Sequence, residues 1–317
     1  MEGHLPTELT RMTADDGTVV VKVLRELMFY KVAFSVEDHD ALIALYKRYC
    51  PQARDKLFKI PELSSWSPVR APELTMSARE QRSKPLAEFE AVRRRIAERR
   101  WFFSKLWDGR EIDDADGSWS LDIERRRAED GTWHGFVRIL LPLDVPDETH
   151  ISLARDVVEA VSVISGHGGY VFAYLPDRKA TAFDQIYAAS RRFKGIDIED
   201  LKVTLAHMRT ALKPPCWLNI LGREGAHEPA LWRAVVAMQR DEGVEVMDNQ
   251  NAMTVQLSAR PEVFNVNHRD AIPQSYQRYS AITASARLKD IGTFSGPRFA
   301  DNPDATPEWL ARFDRLA

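Results

Sequence analysis

Two short runs, Val244–Met247 and Met253–Leu257, alternate apolar and polar side chains on either side of Asp248, Asn249, Gln250 and Asn251. Period-two alternation around a polar turn is the pattern of a half-buried antiparallel pair, so the chain must contain an antiparallel sheet with one face on a core. The pair lies within Pro215 to Arg287. That stretch also supplies a buried strand at Trp217–Leu221, an amphipathic helix from about Pro229 to Arg240, a polar loop and a closing helix.

The remainder of the chain adds sheet and helix in the same style. Gly17 to Phe34 is rich in β-branched and aromatic residues and predicts a strand, and a helix follows from Val36 to about Tyr49. Prolines 51, 61, 68 and 72 break up the next section, which predicts an irregular linker over 51–77. A helix is predicted over Leu86–Leu106, with Arg93, Arg94, Arg95, Arg99 and Arg100 mainly on its solvated side, partly neutralised by Glu88, Glu90 and Glu98. Trp119–Arg127 and Thr132–Leu143 predict a hairpin turning at Glu129, Asp130 and Gly131. A helix capped by Asp147 or Thr149 then runs to about Ile164 and is stopped by Gly166. Gly168 and Gly169 lead into a short strand at Tyr170–Leu175, and a helix spans Ala182–Arg192. This order predicts an α+β fold, antiparallel sheet with helices packed on one side, divided into an N-terminal portion (1–110) and a core (111–317).

Bulk properties narrow the function classes. The chain has 317 residues and two cysteines, Cys50 and Cys216, far apart and beside apolar positions, which predicts buried thiols and no disulfide framework. No apolar run reaches the roughly 18 to 20 residues that span a bilayer, and no export signal opens the sequence, so a cytoplasmic location is expected. The net charge of −3 is uneven: residues 1–108 carry 19 Lys and Arg against 16 Asp and Glu, leaving 25 against 31 beyond. An acidic C-terminal part repels nucleic-acid phosphates and attracts a basic protein.

Motifs for chemistry are sparse. Gly166, Gly168 and Gly169 lack the Lys and Ser or Thr of a phosphate loop, and there is no GxSxG elbow. The eight histidines are scattered with no i, i+4 pair, so neither a metal nor another cofactor is expected. Asn265, Asn267, His268 and Asp270 look like a base with its orienting groups. A structural account fits them better: Asp270 caps the closing helix, Pro273 lies in its first turn, and the asparagines suit tight loops. Acidic residues crowd three predicted loops or strand ends. These are Glu111, Asp113, Asp114 and Asp116; Asp197, Glu199 and Asp200; and Asp241, Glu242, Glu245 and Asp248. Solvated loop carboxylates are the plain reading, and a negative docking surface for a basic partner is the functional one.

Four segments, SGHGGYVF (165–172), RRFKGIDIED (191–200), PCWLNILG (215–222) and PEVFNVNHRDAIPQSYQRYSAI (261–282), together resemble the type VI secretion immunity family, over roughly residues 115–290. The departure is Val263, Phe264 and Asn265 ahead of Asn267, where a second glycine is the family pattern. The resemblance implies an antidote, not an enzyme, that binds a cognate antibacterial effector, a nuclease toxin of the VRR-Nuc kind, and blocks its active site. It implies structural roles for Trp217, Asn219, Gly222, Asn267, Asp270, Pro273 and Tyr276. The first and third acidic sets then become candidate partner-binding residues: Glu111, Asp113, Asp114, Asp116, Asp241, Glu242, Glu245 and Asp248. The competing classes are a metal-dependent hydrolase or nuclease working from Asp248 with His268, and an adaptor of the secretion machinery.

Overall fold

The computed structural model describes residues 5–50, 85–108, 119–127, 131–225, 227–268 and 272–314. In chain order the strands are β1 (Met12–Thr13), β2 (Val19–Tyr30), β3 (Phe102–Trp107), β4 (Ser120–Arg127), β5 (Trp133–Leu141) and β6 (Ser165–Tyr174). They continue as β7 (Phe193–Lys194), β8 (Ile196–Asp197), β9 (Leu218–Gly222), β10 (Glu245–Asp248), β11 (Ala252–Gln256) and β12 (Phe264–Asn265). The helices are α1 (Thr7–Thr10), α2 (Val36–Tyr49), α3 (Pro85–Ala97), α4 (Asp147–Ala160) and α5 (Lys179–Arg192). The second half adds α6 (Leu201–Thr204), α7 (Pro229–Val236), α8 (Gln274–Thr283), α9 (Pro297–Asp301) and α10 (Ala305–Leu310).

A ten-stranded sheet runs β10-β11-β9-β6-β2-β5-β4-β3, with β1 added to β2 and β8 to β6; β7 and β12 pair separately. Every pairing is antiparallel except β6 with β8. The α+β class is the one predicted from the alternating runs, but helices cover both faces of the sheet and not one side, because the central strand is buried on both. β2 lies at the centre, between β6 and β5, and all twelve of its residues are buried. Such a strand needs cover on both faces, and it has it. Leu27 and Phe29 pack with Val137 and Ile139 under Leu42 and Tyr46 of α2, Ile96 of α3 and Leu153 and Val157 of α4. Met28 and Tyr30 point the other way, with Phe172, under Phe183 and Ile186 of α5, Phe299 of α9 and Trp309 of α10. A third cluster joins β9, β10 and β11 to Leu231 and Val235 of α7 and to Tyr276 and Tyr279 of α8.

Local sequence explains the boundaries. Ser35 caps α2 reciprocally with Asp38: the Asp38 amide donates to the Ser35 hydroxyl at 3.0 Å and the Ser35 amide to the Asp38 carboxylate at 2.9 Å. The hairpin β4–β5 and the strands β9, β10 and β11 fall where their alternation puts them.

Three expectations are corrected. The helix predicted over Leu86–Leu106 ends at Ala97, because Arg99 adopts φ +55°, and 102–107 continues as β3 with Phe102, Ser104 and Leu106 buried in period two. The helix predicted to Ile164 ends at Ala160, and its supposed stop, Gly166, lies inside β6 with Gly168 and Gly169. These glycines let β2 come close: a Cβ at Gly166 would stand 2.5 Å from the Met28 carbonyl oxygen. The closing helix starts at Gln274 with Pro273 at its N-cap rather than in the first turn. Asp270 lies outside the described residues, as do the whole of the 51–77 section and Glu129 and Asp130.

Candidate functional site

The most concentrated chemistry lies inside the sheet, where Glu26 of β2, His167 of β6, Asp197 of β8, Glu199 and Lys213 meet; all are at most 4% exposed. The register of β2 with β6 sets Glu26 and Met28 against Gly169 and His167, and the parallel pairing of β8 with β6 brings Asp197 alongside. His167 Nε2 stands 3.2 Å from Asp197 Oδ2 and 3.8 Å from both Glu26 Oε2 and Glu199 Oε2, as an ion pair rather than an aligned hydrogen bond. Lys213 Nζ donates to Asp197 Oδ2 at 2.9 Å and to the Ile198 carbonyl at 3.1 Å, and lies 3.3 Å from Glu199 Oε2. Arg138 Nε donates to Glu26 Oε1 at 2.6 Å, and Arg312 approaches Asp197 Oδ1 at 3.7 Å. Thr204 and Tyr30 hydroxyls donate to Glu199, and the Tyr30 ring stacks on His167 with centroids 5.9 Å apart.

Burial opposes charge on every member, and the neighbours decide which stay charged. It pushes the His167 imidazole down, but Asp197 and Glu26 beside it outweigh that and raise its pKa to about 9. Burial would also lift the Asp197 carboxyl; the Lys213 ammonium and His167 overcome this and hold it below the usual range. Arg138 and His167 do the same for Glu26. Burial raises Glu199. The Cys216 thiol is pushed up by burial and then by Asp197, which suits a packed thiol and not a nucleophile.

Glu26, His167, Asp197 and Glu199 offer one ligand atom each within 4.8 Å of one another, a spacing that fits a metal ion. The charge balance does not. Three carboxylates already face Arg138, Lys213, Arg312 and a raised His167, and the Lys213 ammonium holds the oxygens a dication would need. A further two charges in so dry a place would have to expel Lys213. The cluster is best described as a self-neutralised ionic centre that ties β2, β5, β6, β8 and the C-terminal segment together.

Its pH signature has a definite sign. A folded pKa of about 9 against an ordinary value near 6.5 means His167 contributes stability fully below about pH 6.5 and loses it as pH rises through 9. Urea midpoints should therefore fall between about pH 6.5 and 9, and His167→Gln should flatten that fall; an equal fall in the variant would assign it to another group. His150 works in the opposite window. Burial, then the Arg25 charge, lower it to about 3, so its contribution is present above about pH 6.5 and lost as pH falls.

The second acidic set expected in solvated loops is this centre. Asp197 and Glu199 are buried in it, and Asp200 is buried beside it, accepting from Lys179 at 2.9 Å and from the Ser295 amide at 2.8 Å. The sequence carries a sign of this in the alternation of Ile196, Ile198 and the acids, and in lone Lys213 and Arg312 amid apolar neighbours. Of the candidate partner-binding residues, Glu111, Asp113, Asp114 and Asp116 lie outside the described residues. Asp241, ahead of β10, and Glu245 and Asp248, at its two ends, form separate ion pairs with Arg278, Arg155 (3.3 Å) and Arg223, and Glu242 is exposed.

Of the motif residues of 215–282, all but Asp270 lie within the described residues. The Asn219 side chain accepts from the Cys216 amide at 3.0 Å and donates to its carbonyl at 2.8 Å, fixing the turn into β9. The Trp217 indole donates to the Ser258 carbonyl at 2.7 Å and meets His150 edge-on. Gly222 ends β9 with its amide on the Ile164 carbonyl at 3.0 Å. Tyr276 is buried against Phe264 and Phe313, and Pro273 receives the Tyr276 amide. Asn267 is exposed, its amide donating to the Asn265 side chain. Cys50 and Cys216 are both buried thiols. No helix among the described residues is long and apolar enough to cross a membrane.

Fold and centre together define an antiparallel α+β protein organised around an internally neutralised ionic core. The family model for type VI immunity for VRR-NUC, TsiV, matches residues 72–313, and the chain belongs to that family. A Pseudomonas aeruginosa T6SS protein of known structure has the same fold: TM-score 0.73, 17% identity, covering 99% of this chain and 88% of that one. No curated protein matches the sequence.

Proposed function

We propose that the protein is the cytoplasmic antidote to a VRR-NUC effector, binding it and covering its active site without catalysis of its own. The observation that carries this is the family match over residues 72–313. The site chemistry supports it: the one dense group of titratable side chains among the described residues is enclosed and neutralised, a poor arrangement for turnover. Tight inhibition of this kind needs a protein interface of about 1,600 Å², with complementary charge mainly speeding association. We place the acidic groups Asp241, Glu242, Glu245 and Asp248, and Glu111, Asp113, Asp114 and Asp116, at that interface against basic ground on the nuclease. Near β10 the arginine partners make this surface one of alternating sign, and among the described residues no basic group pairs with the exposed Glu242.

The test is co-expression with the VRR-NUC effector encoded alongside. Cells carrying both should grow, cells carrying the effector alone should not, and purified immunity protein should leave DNA uncleaved in a stoichiometric mixture. Growth arrest despite equal expression of both would overturn the reading. Replacing both acidic sets with Asn or Gln should slow association severalfold at low salt; unaltered association would remove those residues from the interface and leave occlusion elsewhere.

A further inference from the structure

Each carboxylate of the ionic centre is held at one oxygen from outside and turned inward with the other. Arg138 Nε donates to Glu26 Oε1 at 2.6 Å, the Thr204 hydroxyl to Glu199 Oε1 at 3.0 Å, and Arg312 stands 3.7 Å from Asp197 Oδ1. The second oxygens, Glu26 Oε2, Asp197 Oδ2 and Glu199 Oε2, face His167 Nε2 at 3.8, 3.2 and 3.8 Å. An outer partner that fixes one oxygen and leaves the other to converge on a point is how proteins orient metal ligands. Among the described residues neither ring nitrogen of His167 nor Glu26 Oε2 has a hydrogen-bond partner, although all three atoms are enclosed.

Two of these four inward atoms are taken by a cation that the chain itself supplies. Lys213 Nζ lies 2.9 Å from Asp197 Oδ2 and 3.3 Å from Glu199 Oε2, and the Ile198 carbonyl gives it a third oxygen at 3.1 Å. The backbone holds the lysine in place. Leu212 donates its amide to the Ala286 carbonyl and accepts from the Leu288 amide, both at 2.8 Å, and Pro214 and Pro215 stiffen the chain that follows. The Lys213 side chain is 2% exposed, so the ammonium and not water neutralises the acids. Charge counting points the same way. A metal takes imidazole in its neutral form, so a dication that replaced both the ammonium and the imidazole proton would leave the sum of charges unchanged.

We propose that Glu26, His167, Asp197 and Glu199 form a four-ligand site for a divalent metal in which the Lys213 ammonium is the resident cation. The native protein therefore excludes metal, and Lys213→Ala takes up one ion per chain. One imidazole nitrogen with three carboxylate oxygens suits Zn²⁺ or Mn²⁺ rather than the soft ions that select thiolates. For the native protein the consequence is a centre whose stability is the same with free metal or with a chelator, unlike a fold that depends on a bound ion.

The experiment compares thermal melts of wild type, Lys213→Ala, and Lys213→Ala combined with Asp197→Asn, each stripped with chelator and then given Zn²⁺ or Mn²⁺, with calorimetry for the stoichiometry. Lys213→Ala should melt below wild type without metal, rise by about 4 °C or more at a hundredfold excess of metal over Kd, and bind one ion. Wild type and the double variant should shift by less than about 1 °C under the same conditions. The double variant lacks the ligand nearest His167, and so separates this site from adventitious binding elsewhere; where it does not fold, the one-ion stoichiometry decides. If Lys213→Ala does not fold without metal, refolding from urea with and without Zn²⁺ replaces the melt, and a soluble fold with the ion alone supports the proposal. A variant that stays unfolded in both overturns it. So does a folded Lys213→Ala that ignores both ions, or that gains no more than the double variant does. A wild type that rises as far as Lys213→Ala would also overturn it, by showing that metal and ammonium do not compete for one place.

Discussion

Asp197→Asn is expected to cost about 3–5 kcal/mol of folding stability, the range for removing one partner of a buried ionic group. The substitution keeps the shape of the side chain and removes one charge. That charge faces His167 at 3.2 Å, Lys213 at 2.9 Å and Arg312 at 3.7 Å, all buried. Those three cations and Arg138, already on Glu26, would then share Glu26 and Glu199, and Glu199 is itself shifted toward protonation by burial. Against a total stability of about 5–15 kcal/mol, such a loss is a large share of the margin. Urea unfolding of the two proteins at neutral pH measures it. Combining Asp197→Asn with Lys213→Met should recover part of the loss, because it removes an ammonium left without its best acceptor; the double-mutant cycle reads the coupling. A loss below about 1 kcal/mol for Asp197→Asn would mean that water reaches the centre and screens it.

The same residues show what the sequence carried and what it did not. The antiparallel sheet was legible because β9, β10 and β11 advertise themselves by alternation and by the polar turn at 248–251. So were the hairpin β4–β5 and the helices α2, α5 and α7, whose apolar residues recur at helical spacing. The glycines of β6 misled because glycine usually marks a turn. Here it marks a close approach between strands, which depends on Phe29, opposite Gly166 and 137 positions away in sequence, and no local pattern spans the two. The strand β3 was hidden by the arginines ahead of it, which extend a helical pattern past the residue that breaks it.

The ionic centre was illegible for a related reason. Glu26, His167, Asp197, Glu199 and Lys213 come from four separated stretches, and each alone is an ordinary polar residue beside apolar ones. Only the register of β2, β6 and β8 brings them together. Acidic residues at strand ends are solvated in most chains, which is why Asp197 and Glu199 read as loop carboxylates until Lys213 and Arg312 were placed against them.

Gly222→Ala should be the most damaging single methyl in the protein. A Cβ there would stand 1.7 Å from the Val163 carbonyl oxygen, 2.4 Å from the Val163 carbonyl carbon and 2.8 Å from that of Ile164. All three are backbone atoms, so no side chain can swing aside. Gly222 also closes the β9–β11 ladder opposite Ala252 and donates its amide to Ile164, so moving it disturbs both neighbours of β9. Overpacking of a tight interior typically costs about 1–3 kcal/mol where side chains can yield, and a backbone clash should exceed that. A matched control separates crowding from backbone strain. Gly243 has φ +73° but no atom within 4 Å of a Cβ, so Gly243→Ala should cost only the roughly 1–2 kcal/mol of the left-handed conformation. Thermal melts of the two variants should rank Gly222→Ala far below Gly243→Ala, with Gly222→Ala losing soluble yield. Equal melting temperatures would show that the segment 163–164 moves away at little cost, and the tight seam between β9 and that segment would then carry no weight in the fold's stability.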